Sequence, residues 1–252
     1  MTDTVRCVAF GPHPDDVELF CGGTVATLVE RGASVAIVDL TRGERATRGT
    51  VEMRAREAAE AARILGVAAR ENLALPDGAV DPWGGAPTPE SAVGRCVAAL
   101  RRFRPELVLI PHRAARHPDH AATHALVTRA VFLAGLEGVE GGPPHRATSV
   151  ASYFLRKRGA PSFVVDVSDA YETKCAAIAA YASQVEPRRD GTLVGAPGSL
   201  DAIEARDRYH GSLIGATHGE AFFTEHTIGT SNPLDLLATP SGAPRLFWEG
   251  DA

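Results

Sequence analysis

The chain has 252 residues, 44% hydrophobic and 23% charged, with a net charge of −5 and a sequence pI near 6.0. That length can bury one substantial α/β core, and the composition excludes fibrous and disordered classes. The acidic balance lacks the basic footprint that displaces counterions from a polyanion, so no nucleic-acid partner is expected.

The first residues, MTDTVRCVAF, show no basic stretch followed by a long apolar one, and no window approaches a membrane span. A cytoplasmic location without a membrane partner is the expectation. Cys7, Cys21, Cys96 and Cys175 are scattered without a CxxC pair, so they read as small apolar residues and not as disulfides or zinc ligands.

In chain order, strands are predicted at 5–10, 34–39, 72–75 and 107–110, with helices between them at 17–31, 52–65 and 91–104. This alternation predicts βαβ units and a Rossmann-like, mostly parallel sheet with helices on both faces. Arg101, Arg102 and Arg104 end the third helix, where cations favour the helix dipole. Two more strands, at 150–155 and 163–167, and two helices, at 170–183 and 200–213, form a smaller C-terminal β/α extension. The Gly-, Pro- and charge-rich span 184–199 reads as a long surface loop that could close over a site. The expectation is a single domain over 1–252, with a sheet core at 1–148 and the extension at 149–252.

Ligands in open α/β sheets bind beyond the carboxyl ends of the strands. After the first strand comes Gly11-Pro12-His13-Pro14-Asp15-Asp16, and after the fourth comes Arg116-His117-Pro118-Asp119-His120; each leads into a helix. Three histidines and three carboxylates on one rim suit a borderline divalent cation such as zinc, which needs three protein ligands and one open position. Adjacent aspartates cannot easily both point at one ion. One of Asp15 and Asp16 would ligate while its neighbour stays free as a base. A single His-Pro-Asp segment would read as a turn or helix cap; two of them at strand ends point to a metal site.

His13-Pro14-Asp15-Asp16-Val17-Glu18 with Gly22-Gly23-Thr24, and His117-Pro118-Asp119-His120, resemble the two motifs of the LmbE-like, or PIG-L-type, N-acetylglucosamine deacetylases. The resemblance continues through Asp39–Glu44, Thr47–Thr50, Arg54, Glu57, Leu75-Pro76-Asp77, Lys174, Tyr181–Gln184, Glu220–Phe222 and Asn232–Leu234, and is similar to the bacillithiol-biosynthesis branch, which hydrolyses N-acetylglucosaminyl-malate. It implies that His13, Asp16 and His120 bind zinc, or ferrous iron, and that Asp15 is the general base. It further implies that His117 is a cationic stabiliser of the oxyanion, held and tuned by Asp119. Glu44, Arg54, Asp77 and Arg116 are implied near the substrate, an amino-sugar small molecule, with Arg54 first for the malate carboxylates. His218 precedes the Gly219–Phe222 segment and is expected to face the pocket. Relatives assemble as hexamers or smaller homo-oligomers, and a homo-oligomer is expected here. Phe20 and Ala115 depart from the family pattern and read as clear of the metal ligands; Trp83 and Trp248 read as packing or interface residues. Within the same chemistry, an inositol conjugate of the mycothiol route or a chitin fragment is the alternative substrate.

Two readings from other classes compete. A nucleotide-binding module would need GxGxxG after the first strand or GxxxxGK[ST], and neither occurs. A non-catalytic metal- or carbohydrate-binding protein would have no use for Asp15.

Overall fold

In the computed structural model, β1 (Cys7–Gly11) and β2 (Val35–Thr41) are buried at every position, as largely apolar strands covered on both faces are. The structure describes residues 4–83, 85–154, 160–185, 200–229 and 231. β3 (Ala69–Leu75), β4 (Leu107–Pro111) and β5 (Ser149–Tyr153) extend the parallel sheet, in the order β3-β2-β1-β4-β5. Alternate side chains serve two cores. Val8 and Phe10 pack against α3 (Ala92–Phe103) and α4 (Pro118–Ala134), while Cys7 and Ala9 pack against α1 (Asp16–Glu30) and α2 (Val51–Leu65).

Helix ends follow local chemistry. Thr50 and Ser91 accept the N–H groups of Met53 (3.2 Å) and Gly94 (3.0 Å), and Gly66 closes α2 at φ 69. Among the described residues no helix is long and apolar enough to cross a membrane.

Several sequence expectations are corrected. β3 starts at Ala69 and not at 72, because Arg70 and Glu71 conceal its opening. Arg70 is drawn inward by ion pairs to Glu18 and Asp39. The helix expected over 170–183 is two, α5 (Tyr171–Ala179) and α6 (Ala182–Val185), and residues 184 and 185, expected to open the loop, belong to α6. The remainder of that loop, 186–199, lies outside the described residues, as do 155, 232–234 and 246–248. α7 (Leu200–Ser212) agrees with expectation. β7 (Gly219–Phe223) was not read as a strand. It inserts between β5 and β6 (Phe163–Asp166), antiparallel to both, so the extension completes the same sheet. Arg101 also does more than face its own helix dipole: it is buried and donates to the carbonyls of Ala134 (3.0 Å), Val139 (2.6 Å) and Gly142 (2.7 Å), closing the end of α4.

α1 is interrupted at Cys21 (φ −144, ψ 19). There the Glu220 carboxylate accepts the N–H groups of Gly23 (2.9 Å) and Thr24 (2.6 Å), restarting the helix. Gly23 is required by close approach, since a Cβ would lie 2.8 Å from Val167. Fully buried Lys174 donates to Glu220 (2.5 Å) and Asp207 (2.6 Å) and balances both carboxylates. Lys174→Met would leave two buried carboxylates with no ammonium; a loss of about 3–5 kcal/mol is expected in urea unfolding, as for other broken buried pairs. A change below ~1 kcal/mol would contradict the role given to this ammonium.

Candidate metal centre and active site

β1 and β4 are parallel neighbours, so the chain leaving each passes over the same rim. After β1 it turns through Pro12–Asp15 into α1. Asp15 adopts φ 125, a region L side chains rarely enter, and faces α2 while Asp16 faces the histidines. After β4, His117 caps α4 by accepting the Asp119 N–H on Nδ1 (3.2 Å), with Pro118 in the first turn. One helical turn then brings His120 back to the rim.

His13, Asp16 and His120 present ligand atoms all within 4.8 Å of one another. Asp16 divides its oxygens, Oδ2 toward His13 Nδ1 (3.0 Å) and Oδ1 toward His120 Nε2 (3.3 Å). Both aspartates are enclosed, with side-chain exposures of 15% for Asp15 and 6% for Asp16. Two imidazoles and a carboxylate are a donor set suited to zinc, so these residues fit a divalent ion.

The opposite edge of His13 is also occupied. Its Nε2 faces Asp77 Oδ1 (3.2 Å) and Asp119 Oδ2 (3.3 Å), so that nitrogen carries a hydrogen. With Nε2–H fixed, the Nδ1 lone pair is available to an ion, the tautomer lock common at metal-bound histidines. Burial opposes a charge on His13, but the Asp119 and Asp16 carboxylates outweigh it and push the ring up to about 11. Asp16 is held well below the carboxylate range: burial would raise it, and the neighbouring His120 and His13 overcome that.

Asp15 behaves differently from its neighbour. Burial pushes its carboxyl up to about 7, Arg54 and His13 pull it down, and Asp16 and Glu18 push it further up. Arg54 is 3% exposed, 3.3 Å from Asp15 Oδ2, and donates to the Pro14 carbonyl.

Asp119 was expected to hold His117; its carboxylate instead faces His13 and accepts N–H groups from Gly78 (2.7 Å) and Val80 (3.4 Å). His117 was expected to be cationic. Burial, and then the neighbouring His13 and His120, lower it, and its Nδ1 already accepts a backbone N–H, so the ring is a neutral Nε2–H donor. Arg54 was expected at the malate end and is buried against Asp15. Glu44 Oε1 accepts the Asp77 N–H (2.9 Å), and Asp77 Oδ2 accepts the Arg45 N–H (2.7 Å), so this pair braces two rim loops and supports His13. Arg116 stays exposed beside His117. His218 stacks on Tyr171 at 3.7 Å, and none of its described partners belongs to the His13 cluster. Phe20, expected clear of the ligands, lies edge-on to His120 at 6.5 Å. Trp83, expected as a packing or interface residue, is 74% exposed and so does not pack within the chain. Sequence reading missed the N–H donors of Gly78 and Val80; the Asp77-Gly78 turn signal was their only trace.

Residues 8–131 match the family model described as PIG-L, GlcNAc-PI de-N-acetylase. The chain is 31% identical over 198 residues to a diacetylchitobiose deacetylase of Thermococcus kodakarensis, covering 72% of this chain and 71% of that one. It is 34% identical over 174 residues to a Mycobacterium leprae 1D-myo-inositol 2-acetamido-2-deoxy-alpha-D-glucopyranoside deacetylase, and spans only 55% of that relative's length. Among solved structures, a conserved protein of Thermus thermophilus is 39% identical with a TM-score of 0.79, covering 90% of this chain and 97% of its own. The N,N'-diacetylchitobiose deacetylase of Pyrococcus horikoshii is 26% identical with a TM-score of 0.73, covering 87% and 83%. The rim geometry and these relatives together place the chain in the PIG-L family, and it is an amide-hydrolysing enzyme of the deacetylase type.

Proposed function

We propose that the chain removes the N-acetyl group of an N-acetylglucosaminyl conjugate by metal-dependent hydrolysis, with zinc as the first choice of ion and ferrous iron as the alternative. The carrying observation is the convergence of His13, Asp16 and His120, with the ionisable Asp15 beside them and outside the ligand set. A divalent ion there supplies Lewis acidity to the amide carbonyl and lowers the pKa of the attacking water.

The protein's own groups do the rest. Asp15 takes the proton of the attacking water and returns it to the departing sugar amine. Arg54 acts through Asp15 as a positioning residue, fixing the carboxylate and the Pro14 carbonyl of the same turn. His117 donates Nε2–H to the oxyanion. Asp77 and Asp119 hold His13 in the ligating tautomer.

For the group carried by the sugar, the finer reading is malate, the bacillithiol precursor. With Arg54 committed to Asp15, exposed Arg116 is the side chain that supplies a planar fork for the carboxylates. The test compares N-acetylglucosaminyl-malate, N-acetylglucosaminyl-inositol and N,N'-diacetylchitobiose as substrates of the wild type and of Arg116→Ala. The malate conjugate should be turned over fastest and should alone lose about tenfold in Arg116→Ala, the effect of one exposed charge-assisted contact. Equal rates, or an insensitive variant, would remove the malate reading; the deacetylase reading fails only if no conjugate releases acetate.

A further inference from the structure

Asp15 lines a cavity of ≈ 110 Å³ whose walls include none of His13, Asp16 and His120. Leu19, Ile178, Val185 and the ring of Tyr181 give it a largely apolar surface, and Glu18 lines it beside Asp15. α6 is fixed against it from α2 and the rim: Ser183 donates N–H (2.8 Å) and Oγ–H (2.6 Å) to Glu57, and Gln184 donates Nε2–H to the Arg48 carbonyl (3.1 Å). Glu18 is fully buried and ion-paired to Arg70, and its Oε1 accepts the Tyr181 hydroxyl (3.2 Å). Oε2 of the same carboxylate is buried and has no hydrogen-bond partner among the described residues. No other residue lining the cavity has such an atom. A carboxylate paired with a guanidinium accepts hydrogen bonds and donates none, so whatever satisfies Oε2 must bring a hydrogen into this space.

The scissile amide carries the sugar on its nitrogen and the acyl group on its carbon, and Asp15 serves both the attacking water and the departing amine. A conjugated sugar is too large for a space of this volume behind Asp15, whereas a short acyl group fits. We propose that this cavity receives the acyl group, and that Glu18 Oε2 makes it selective for short acyl groups bearing a hydroxyl, with glycolyl preferred over its isostere propionyl. The glycolyl hydroxyl donates to Oε2. The propionyl methyl has the same bulk but drives water from that oxygen and leaves a buried carboxylate oxygen unpaired. The reaction is otherwise unchanged: water adds across the same C–N bond, releasing glycolate and the free amine. The inference rests on the deacetylase reading above for the reaction, and on the cavity and its unpartnered oxygen for the selectivity.

The test uses the zinc-loaded full chain and the sugar conjugate that it deacetylates fastest, prepared in N-acetyl, N-propionyl and N-glycolyl forms, and compares kcat/KM for release of the amine. The glycolyl form should exceed the propionyl form by about tenfold, the effect of one hydrogen bond to a charged group. Glu18→Gln replaces the charged acceptor with a neutral amide and should bring the two forms toward equal rates. A role for Glu18 confined to folding would instead lower all three rates alike and leave that ratio at its wild-type value. Val185→Phe fills the cavity from α6 and should depress both larger acyl groups by about tenfold relative to acetyl. Should Glu18→Gln fail to fold, the wild-type ratio and Val185→Phe still decide. Equal glycolyl and propionyl rates in the wild type, an unchanged ratio in folded Glu18→Gln, or an unchanged acyl preference in Val185→Phe overturns the proposal, while acetate release from the N-acetyl form keeps the deacetylase reading in place. Release from none of the three forms removes that reading and the acyl pocket with it.

Discussion

Replacing Asp15 with alanine should leave zinc bound and lower acetate release by about 10²–10⁴-fold, the contribution of a positioned general base. The structure separates the two neighbouring aspartates by environment. Asp16 lies between two imidazoles and is held ionised, whereas Asp15 is buried beside one guanidinium with its carboxyl pushed up to about 7. A base near the working pH both accepts and returns a proton. A bound dication draws Asp15 downward, so the acidic limb of kcat/KM should fall below pH 7, with activity lost as Asp15 protonates. The backbone adds a second expectation. Asp15 holds φ 125, and a non-glycine residue in such a region costs about 1–3 kcal/mol. Asp15→Gly relieves that strain but, like Asp15→Ala, leaves buried Arg54 without its carboxylate, so it should melt at a higher temperature than Asp15→Ala while being equally inactive. Full activity in Asp15→Ala, or a lower melting temperature in Asp15→Gly than in Asp15→Ala, would contradict this reading.

Acidification should strip the ion from the centre, and this is the second large effect. Without an ion, His13 faces carboxylates with both ring nitrogens and is pushed up to about 11, so below that pH the empty site holds a proton on Nδ1. An entering ion takes that proton's place. Each unit of pH lowered from 8 should then weaken the apparent affinity by about tenfold, and binding should release close to one proton. Titration calorimetry in buffers of different ionisation enthalpy measures that proton directly. An affinity independent of pH between about 6 and 8 would show that His13 is not the ligand that exchanges a proton for the ion.

The sheet core was legible because β1 and β4 are uninterrupted apolar runs and β2 opens with one, and the metal centre because both His-Pro-Asp segments follow strands that pair side by side. What escaped depended on long-range partners. Arg70 reads as a polar residue until Glu18 and Asp39 are seen to enclose it, and β7 contains Glu220, whose carboxylate is buried only because Lys174 and the broken α1 receive it. The family resemblance implied that Asp119 holds His117. The helix turns its carboxylate instead to His13, 106 positions away. Arg54 likewise lies on the face of α2 that packs under Pro14, a direction the helical pattern alone did not reveal. Each of these errors concerns where a side chain points, which spacing along the chain constrains least.

The most direct measurement is acetate release from an N-acetylglucosaminyl conjugate by the chelator-stripped chain, before and after one equivalent of zinc or ferrous iron. Release should be absent from the stripped protein, restored by the single equivalent, and not restored in Asp16→Ala, whose carboxylate bridges both ligating histidines. Acetate release by the stripped chain at the rate of the loaded one, or restoration in Asp16→Ala, would contradict a metal-dependent deacetylase built on His13, Asp16 and His120.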